Sequence, residues 1–277
     1  MFKRVFLPMV NYPFPTLPST IGQAISVAKF LRAELSALSL EVEPPLGLGY
    51  ATYTMPFVGT VISAEEAKAA ANREAVVDDF LEQARKAGVP HNLSRQSCFP
   101  HEVPDRFAAF ARFCDLSVLP AGEAAAFAPP FAESVVFGSG HPCLILPRDH
   151  QMISVRRAVI AWDGSRAAVR SIADALPILE KTTDVLVVTA VPDKAYAQSD
   201  TADLVGYLHR HGITASSEVI EVGQRSAAEA ISHRAQTYQA DCLVMGAFGH
   251  SRLRDFILGG VTQHMFAHPP LPVFLAF

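Results

Sequence analysis

The stretch MGAFGHSRLRDFILGGVTQHM, from Met245 to Met265, holds the residues of this chain best suited to gripping an anion. Glycine lets a backbone approach an anionic group closely and adopt positive φ. Gly246 and Gly249 follow directly on the apolar run DCLVM. Gly259 and Gly260 close the run SRLRDFIL, whose spacing predicts a short helix with Leu253, Phe256 and Ile257 on its buried face. Another helix begins at VTQHMFAH, with Thr262 in its first turn. A helix start presents unpaired N–H groups and the positive end of the helix dipole. Two glycine turns and a helix start are together suited to surround a phosphate chain. The plainer reading of the same glycines is a pair of helix-capping turns. Arg252 and Arg254 read either as solvated surface or as groups that attract phosphate.

Other reactive side chains form weaker patterns. Asp163 ends the strand-like run AVIAW and reads as a turn or capping residue before a helix starting at Ser165. His209 and His211 fall on different faces of a helix. His264 and His268 lie four apart on one, but no third metal ligand is in view. The four cysteines, Cys98, Cys114, Cys143 and Cys242, include no closely spaced pair. The last three sit in or beside apolar strand-like runs and read as core. There is no G-x-x-x-x-G-K-[ST] phosphate loop and no G-x-S-x-G nucleophile turn. No catalytic constellation is assigned, with His250 as the one candidate base near the glycines.

The elements that would position these residues occur twice. FKRVFLPMV (2–10) aligns with VRRAVIAWD (155–163), DLSVLPAG (115–122) with DCLVMGAFG (241–249), and HPCLILP (141–147) with LPVFLAF (271–277). The blocks keep the same order in both halves, which predicts two tandem domains, 1–150 and 151–277. In the second half, the strand AVIAW leads to a helix with Ala168, Ile172, Ala175, Leu176 and Leu179 on one face. DVLVVTAV then reads as a strand buried on both faces, followed by a helix stopped by Gly212, a strand, a helix capped by Ser226 and Glu229, and two more strands. Strands alternating with helices imply a parallel sheet with right-handed crossovers. In such a sheet ligands bind beyond the carboxyl ends of the strands, where Gly246 to Gly249 lie. The first half repeats this order with an insertion. Residues 42–63 read as a loop, and a helix over 63–88 is capped by Ser63 with Glu66 and ended by Gly88. The paired last strands, PCLILP and PVFLAF, are expected to cover each other's edges in an intramolecular pseudo-dimer. A further homodimer is compatible with the sequence.

Composition sets the outer bounds. Half of the residues are hydrophobic and 18% are charged, enough to bury a core and too apolar for a disordered chain. A net charge of −4 argues against a general nucleic-acid binder. No apolar run approaches the roughly 20 residues that span a bilayer, and the N-terminus lacks the pattern of a signal peptide. The expectation is a soluble cytoplasmic protein with no membrane or nucleic-acid partner.

AWDGS (161–165) near the start of the second half, and G-x2-G-x9-G formed by Gly246, Gly249 and Gly259 near its end, resemble the universal stress protein family. The resemblance spans the second half and, more weakly, the first. It implies an α/β fold of two tandem open parallel five-stranded sheets flanked by helices, Rossmann-like and of the adenine nucleotide alpha-hydrolase kind. It also implies an ATP site, with Mg as the nucleotide counter-ion. Carried over by position, Asp163 would lie beside the nucleoside and Ala190 would border the base. Gly246, Gly249, Gly259, Gly260, Val261 and Thr262 would line ribose and phosphates, with His250 and Ser251 at the phosphate. The resemblance implies a stress-response or signalling protein with at most slow ATP hydrolysis. A tandem scaffold acting by protein contacts and a nucleotidyl-transfer or ATPase enzyme are the alternatives. Gly260 stands where ATP-binding members often carry Ser or Thr, so one hydroxyl donor is lost and weaker binding is expected. In the first half Val10 replaces Asp163, Asn11 follows it, and PAGEAAAFAPPFAES (120–134) replaces the glycine loop. Its prolines lack N–H donors and Glu123 repels phosphate, so no nucleotide is expected there.

Overall fold

The computed structural model describes residues 1–43, 58–121, 129–148, 150–152, 154–192, 201–247 and 260–277. Its strands are β1 (Arg4–Val10), β2 (Glu34–Val42), β3 (His91–Cys98), β4 (Leu116–Pro120), β5 (Cys143–Leu146), β6 (Arg157–Ala161), β7 (Asp184–Val191), β8 (Ala215–Glu221), β9 (Cys242–Gly246) and β10 (Val273–Ala276). They form one sheet in the order β3-β2-β1-β4-β5-β10-β9-β6-β7-β8. Read outward from its middle, each half gives the same order. Every pairing is parallel except β5 with β10, which is antiparallel and matches Val273 to Ile145 and Leu275 to Cys143. The two five-stranded sets are thus continuous with each other. β5 and β10 would otherwise be edges with unpaired N–H and C=O groups, and the antiparallel seam satisfies both. It also points the strands of the two halves in opposite directions, so their carboxyl ends lie at opposite edges of the sheet.

Among the described residues, eight α-helices cover the two faces. The first face carries α1 (Pro18–Leu31), α2 (Val58–Ala87), α5 (Arg166–Leu179) and α6 (Thr201–Arg210). The second carries α3 (Val103–Ala111), α4 (Pro129–Ser139), α7 (Ala227–Thr237) and α8 (Gly260–Ala267). Strand alternation feeds both layers. Leu7 and Met9 join Ile21, Phe80, Ile172 and Leu208 in one core, while Phe6 and Val10 join Phe107, Val135, Ile231 and Phe266 in the other. Strands buried on both faces explain the near-continuous apolar runs in the sequence. No helix among the described residues is long and apolar enough to cross a membrane.

Local signals hold at most helix ends. Ser165 caps α5 by accepting from Ala168 N, and Ser226 with Glu229 forms the reciprocal box at α7. Gly88 and Gly212 take φ of +67° and +74° just after α2 and α6. The start of α2 differs from the sequence reading. It begins at Val58, so 58–63 is helical, and Ser63 lies inside the helix instead of capping it. VGTVIS has low intrinsic helix preference, and its helical state reflects tertiary context overriding propensity.

The sequence repeat has a physical counterpart. Asp115 accepts from the backbone N of Lys3 and Arg4 at 2.7 and 2.8 Å, and Asp241 accepts from those of Arg156 and Arg157 at 2.7 and 2.9 Å. Arg4 lies over the Phe110 ring and Arg157 over the Tyr238 ring, at 5.4 and 5.9 Å. The paired basic residues that open each half are thus held by one carboxylate and one aromatic ring apiece. Between the halves, Phe2 meets Phe274 and Phe137 meets Phe277, with centroids 6.3 and 4.9 Å apart. The connecting segment is tied back to α1, because Gln23 Nε2 donates to Pro147 O and Met152 N donates to Ser26 Oγ.

Candidate functional site

In the C-terminal half, the chain leaves β6 through α5 toward β7 on one side and returns through α7 to β9 on the other. The two helices lie on opposite faces, so the strand order reverses between β6 and β9. Sheets of this kind hold ligands in a crevice at this point, beyond the carboxyl ends of the strands. β6 ends at Ala161, and Trp162 N donates to Val188 O at 2.9 Å. Trp162 itself is buried among the residues under α5. Asp163 is exposed at the crevice and its Oδ1 accepts from Ser165 N at 2.9 Å. Gly164, between them, takes φ of +71°, which turns the chain directly into α5. Ala190 lies near the end of the neighbouring β7, half-buried and paired with Ile220. The residue before it supplies a group not singled out from the sequence: Thr189 Oγ1 is buried without a hydrogen-bond partner among the described residues.

Gly246 ends β9 on the other side of β6. A Cβ there would stand 2.4 Å from Ala168 N and 2.6 Å from Ala167 C, both backbone atoms of the first turn of α5. What presses on Gly246 is therefore the protein's own helix, and the missing side chain is needed for that packing. The sequence pattern points this glycine to the close approach of a ligand, a role that the contact with α5 does not require. α8 leads into β10, which is parallel to β9, so its N-terminus returns to the same edge. Gly260 is its first residue, exposed, and a Cβ added there would meet no atom within 4 Å. Val261 is half-buried and Thr262 is buried in the first turn. Asp163, Ala190, Gly246, Gly260, Val261 and Thr262 thus share one edge of the sheet. Gly249, His250, Ser251 and Gly259 lie outside the described residues, as do Arg252 and Arg254.

The matching edge of the N-terminal half is occupied on the side of β2. The pairing registers match Arg4↔Glu34 with Arg157↔Asp184, and counting along the strands from these pairs puts Val10 at the position of Asp163. Asn11 follows, buried to 1% exposure. Its Oδ1 accepts from Val42 N at 2.7 Å, its Nδ2 donates to Ala69 O at 3.0 Å, and its backbone O accepts from Asn72 Nδ2 at 3.3 Å. One residue thereby joins the ends of β1 and β2 to α2, on the β2 side of the switch point between β1 and β4. Glu123 lies outside the described residues, and α4 begins at Pro129.

The remaining candidates take structural places. All four cysteines are free and buried, and burial pushes the Cys143 and Cys242 thiols up to about 12. His209 Nε2 contacts Ala215 O at 3.0 Å, and the His211 ring lies 4.7 Å from that of Tyr207. The His264 and His268 rings are 6.0 Å apart. Among the described residues no three His, Cys, Asp or Glu side chains gather as a metal set.

Residues 154–276 match the universal stress protein family. A universal stress protein of Synechocystis is 29% identical over 146 residues, which cover 51% of this chain and 48% of that protein. The chain spans about half the length of this curated relative. Among solved structures, a universal stress protein from Archaeoglobus fulgidus is 17% identical and aligns over 99% of this chain and 95% of its own, with a TM-score of 0.68. A putative universal stress protein from Pseudomonas aeruginosa is 13% identical over 99% of this chain and 93% of its own, with a TM-score of 0.59. These two likenesses show the fold: two strand–helix sets arranged along the whole length of a chain of this size. The family match itself covers the C-terminal half, residues 154–276.

Proposed function

We propose that this chain is a nucleotide-binding stress-response protein that holds one ATP, with Mg²⁺ as counter-ion, in the crevice of its C-terminal half. One observation carries the reading: the two crevices differ. Beyond β6 Asp163 is exposed beside a glycine turn, whereas beyond β1 the residue after Val10, Asn11, is buried and tied to β2 and α2. The first turn of α8 adds N–H groups at the open edge, where the helix dipole favours phosphate. Asp163 is suited to accept from ribose hydroxyls. With no paired acid and base among the described crevice residues, hydrolysis would be slow at most.

Isothermal titration with MgATP tests this reading. One equivalent per chain is expected, with affinity falling about tenfold or more in Asp163→Ala as a charge-assisted hydrogen bond is lost. Absence of heat at millimolar nucleotide would sink it. The second reading is a scaffold that works through protein contacts. It is favoured by Gly246, whose lack of a side chain is accounted for by α5 alone. Adenine nucleotide released from the purified protein on denaturation would count against it.

A further inference from the structure

We propose that α2 is a built-in cover over the carboxyl ends of β1 and β2, on one side of the N-terminal switch point, and that Asn11 is the latch holding it there. This does not rest on nucleotide binding by the other half. α2 has 30 residues and its counterpart α6 has 10. Both connect the second and third strands of their half, but α2 is longer by about 30 Å at 1.5 Å per residue. At Ala69 and Asn72 it meets the end of β1 through Asn11, and at Arg73 it meets the end of β2 through Glu41, 3.5 Å away.

The backbone explains why an asparagine is needed. The β1–β2 ladder ends at Val10↔Leu40, so the N–H of Val42 lies beyond the last residue of β1. Left alone, it would be a buried donor without a partner. Asn11 Oδ1 takes it at 2.7 Å, and the other end of the same carboxamide donates to Ala69 O on α2. Ala69 is buried at 2% exposure, although its neighbours Lys68 and Ala70 are exposed. The contact is thus a point of attachment on an otherwise solvated stretch of helix. In the C-terminal half, the strand registers put Pro192 at the position of Val42. Proline has no N–H to satisfy. The latch and the donor that needs it are therefore present in one half and absent together in the other.

The latch holds α2 over the carboxyl ends of β1 and β2, in addition to any loss of phosphate-binding residues. Hydrogen exchange and limited trypsin digestion of the full chain test it. Asn11→Ala leaves the Val42 N–H without a partner and removes the tie to Ala69 O. Exchange at the Val42 amide and cleavage after Lys68 and Arg73 should each speed up about tenfold. The Val244 amide in β9 should not change. If Asn11→Ala fails to fold, Asn72→Ala removes only the bond to Asn11 O and should speed cleavage after Lys68 about threefold. Unchanged exchange and cleavage in a folded Asn11→Ala, or unchanged cleavage in Asn72→Ala, overturns the latch. So does protection of the Val42 amide by millimolar MgATP in the wild-type chain, since a ligand would then be entering the crevice. If MgATP binds nowhere, the nucleotide reading fails and the latch stands.

Discussion

Gly246→Ala should destabilise the protein although it adds only one methyl group. That methyl would stand 2.4 Å from Ala168 N and 2.9 Å from Ala168 Cα, where ordinary contacts begin at 3.4 Å. Both are backbone atoms, so no side chain can rotate away. The first turn of α5 must withdraw from β9 by about 1 Å, a gap that forfeits a quarter to a half of a contact's attraction. The buried face of that helix includes Ala168, Ile172, Ala175 and Ile178, which share the strain. A cost of about 3 kcal/mol is expected, the upper end for overfilling a packed interior. With a urea slope of about 3 kcal/mol/M, the unfolding midpoint falls by about 1 M. Gly260→Ala, in the same glycine-rich stretch, meets nothing within 4 Å and has no positive φ. It should raise stability by about 0.5 kcal/mol by restricting the unfolded chain. A Gly246→Ala midpoint within about 0.2 M of wild type would refute the packing argument. The comparison also bears on binding assays: a nucleotide lost in a Gly246 variant reports a moved helix, and Asp163 or Gly260 is the cleaner probe.

Gly260→Ser restores a hydroxyl at an open position of α8 and should tighten MgATP binding about fivefold by titration, the worth of about one hydrogen bond. An unchanged affinity would place the phosphates elsewhere. Ser226→Ala should cost about 1 kcal/mol in denaturant unfolding at pH 7 by removing the α7 cap. The backbone N–H of Ser226, and then its hydroxyl, hold the Glu229 carboxyl below its ordinary value of 4.5. This contribution is present above that value and is lost as the pH falls through the lowered one, so the gap between Ser226→Ala and wild type should shrink toward pH 3. Cys143 and Cys242, raised to about 12 by burial, and the buried Cys98 and Cys114 should resist a thiol-reactive disulfide at pH 8 until the chain is unfolded. Rapid labelling of the native protein would contradict this burial.

Features set by local chemistry were readable before the fold was known. The Ser226–Glu229 box, the stops at Gly88 and Gly212, and the doubly buried strands follow from side-chain type and short spacing. The repeat was readable for another reason: the same Asp clamp and stacked arginine recur in each half, so the same residue types recur in the same order along the chain. Features set by distant contacts were not readable. Asn11 stands between an apolar strand and Tyr-Pro-Phe and looks like any loop residue; only Val42 and Ala69, far along the chain, make it a latch. Residues 58–63 read as loop because they close the stretch 42–63, which holds three prolines and three glycines. Gly246 fitted a phosphate pattern, and the pressure of α5 on it appears only when β9 and β6 are neighbours.

The antiparallel seam of β5 and β10 has a consequence for assembly. Where two separate chains join edge strands, the joint depends on their concentration and dissolves on dilution. Here both edges belong to one chain and the tether through 147–154 holds them together, so each meets the other at an effective concentration that dilution does not change. Neither edge is left to recruit a foreign copy. Each half keeps the same neighbour throughout the life of the molecule, and that fixed pairing leaves the two halves free to differ at their carboxyl edges.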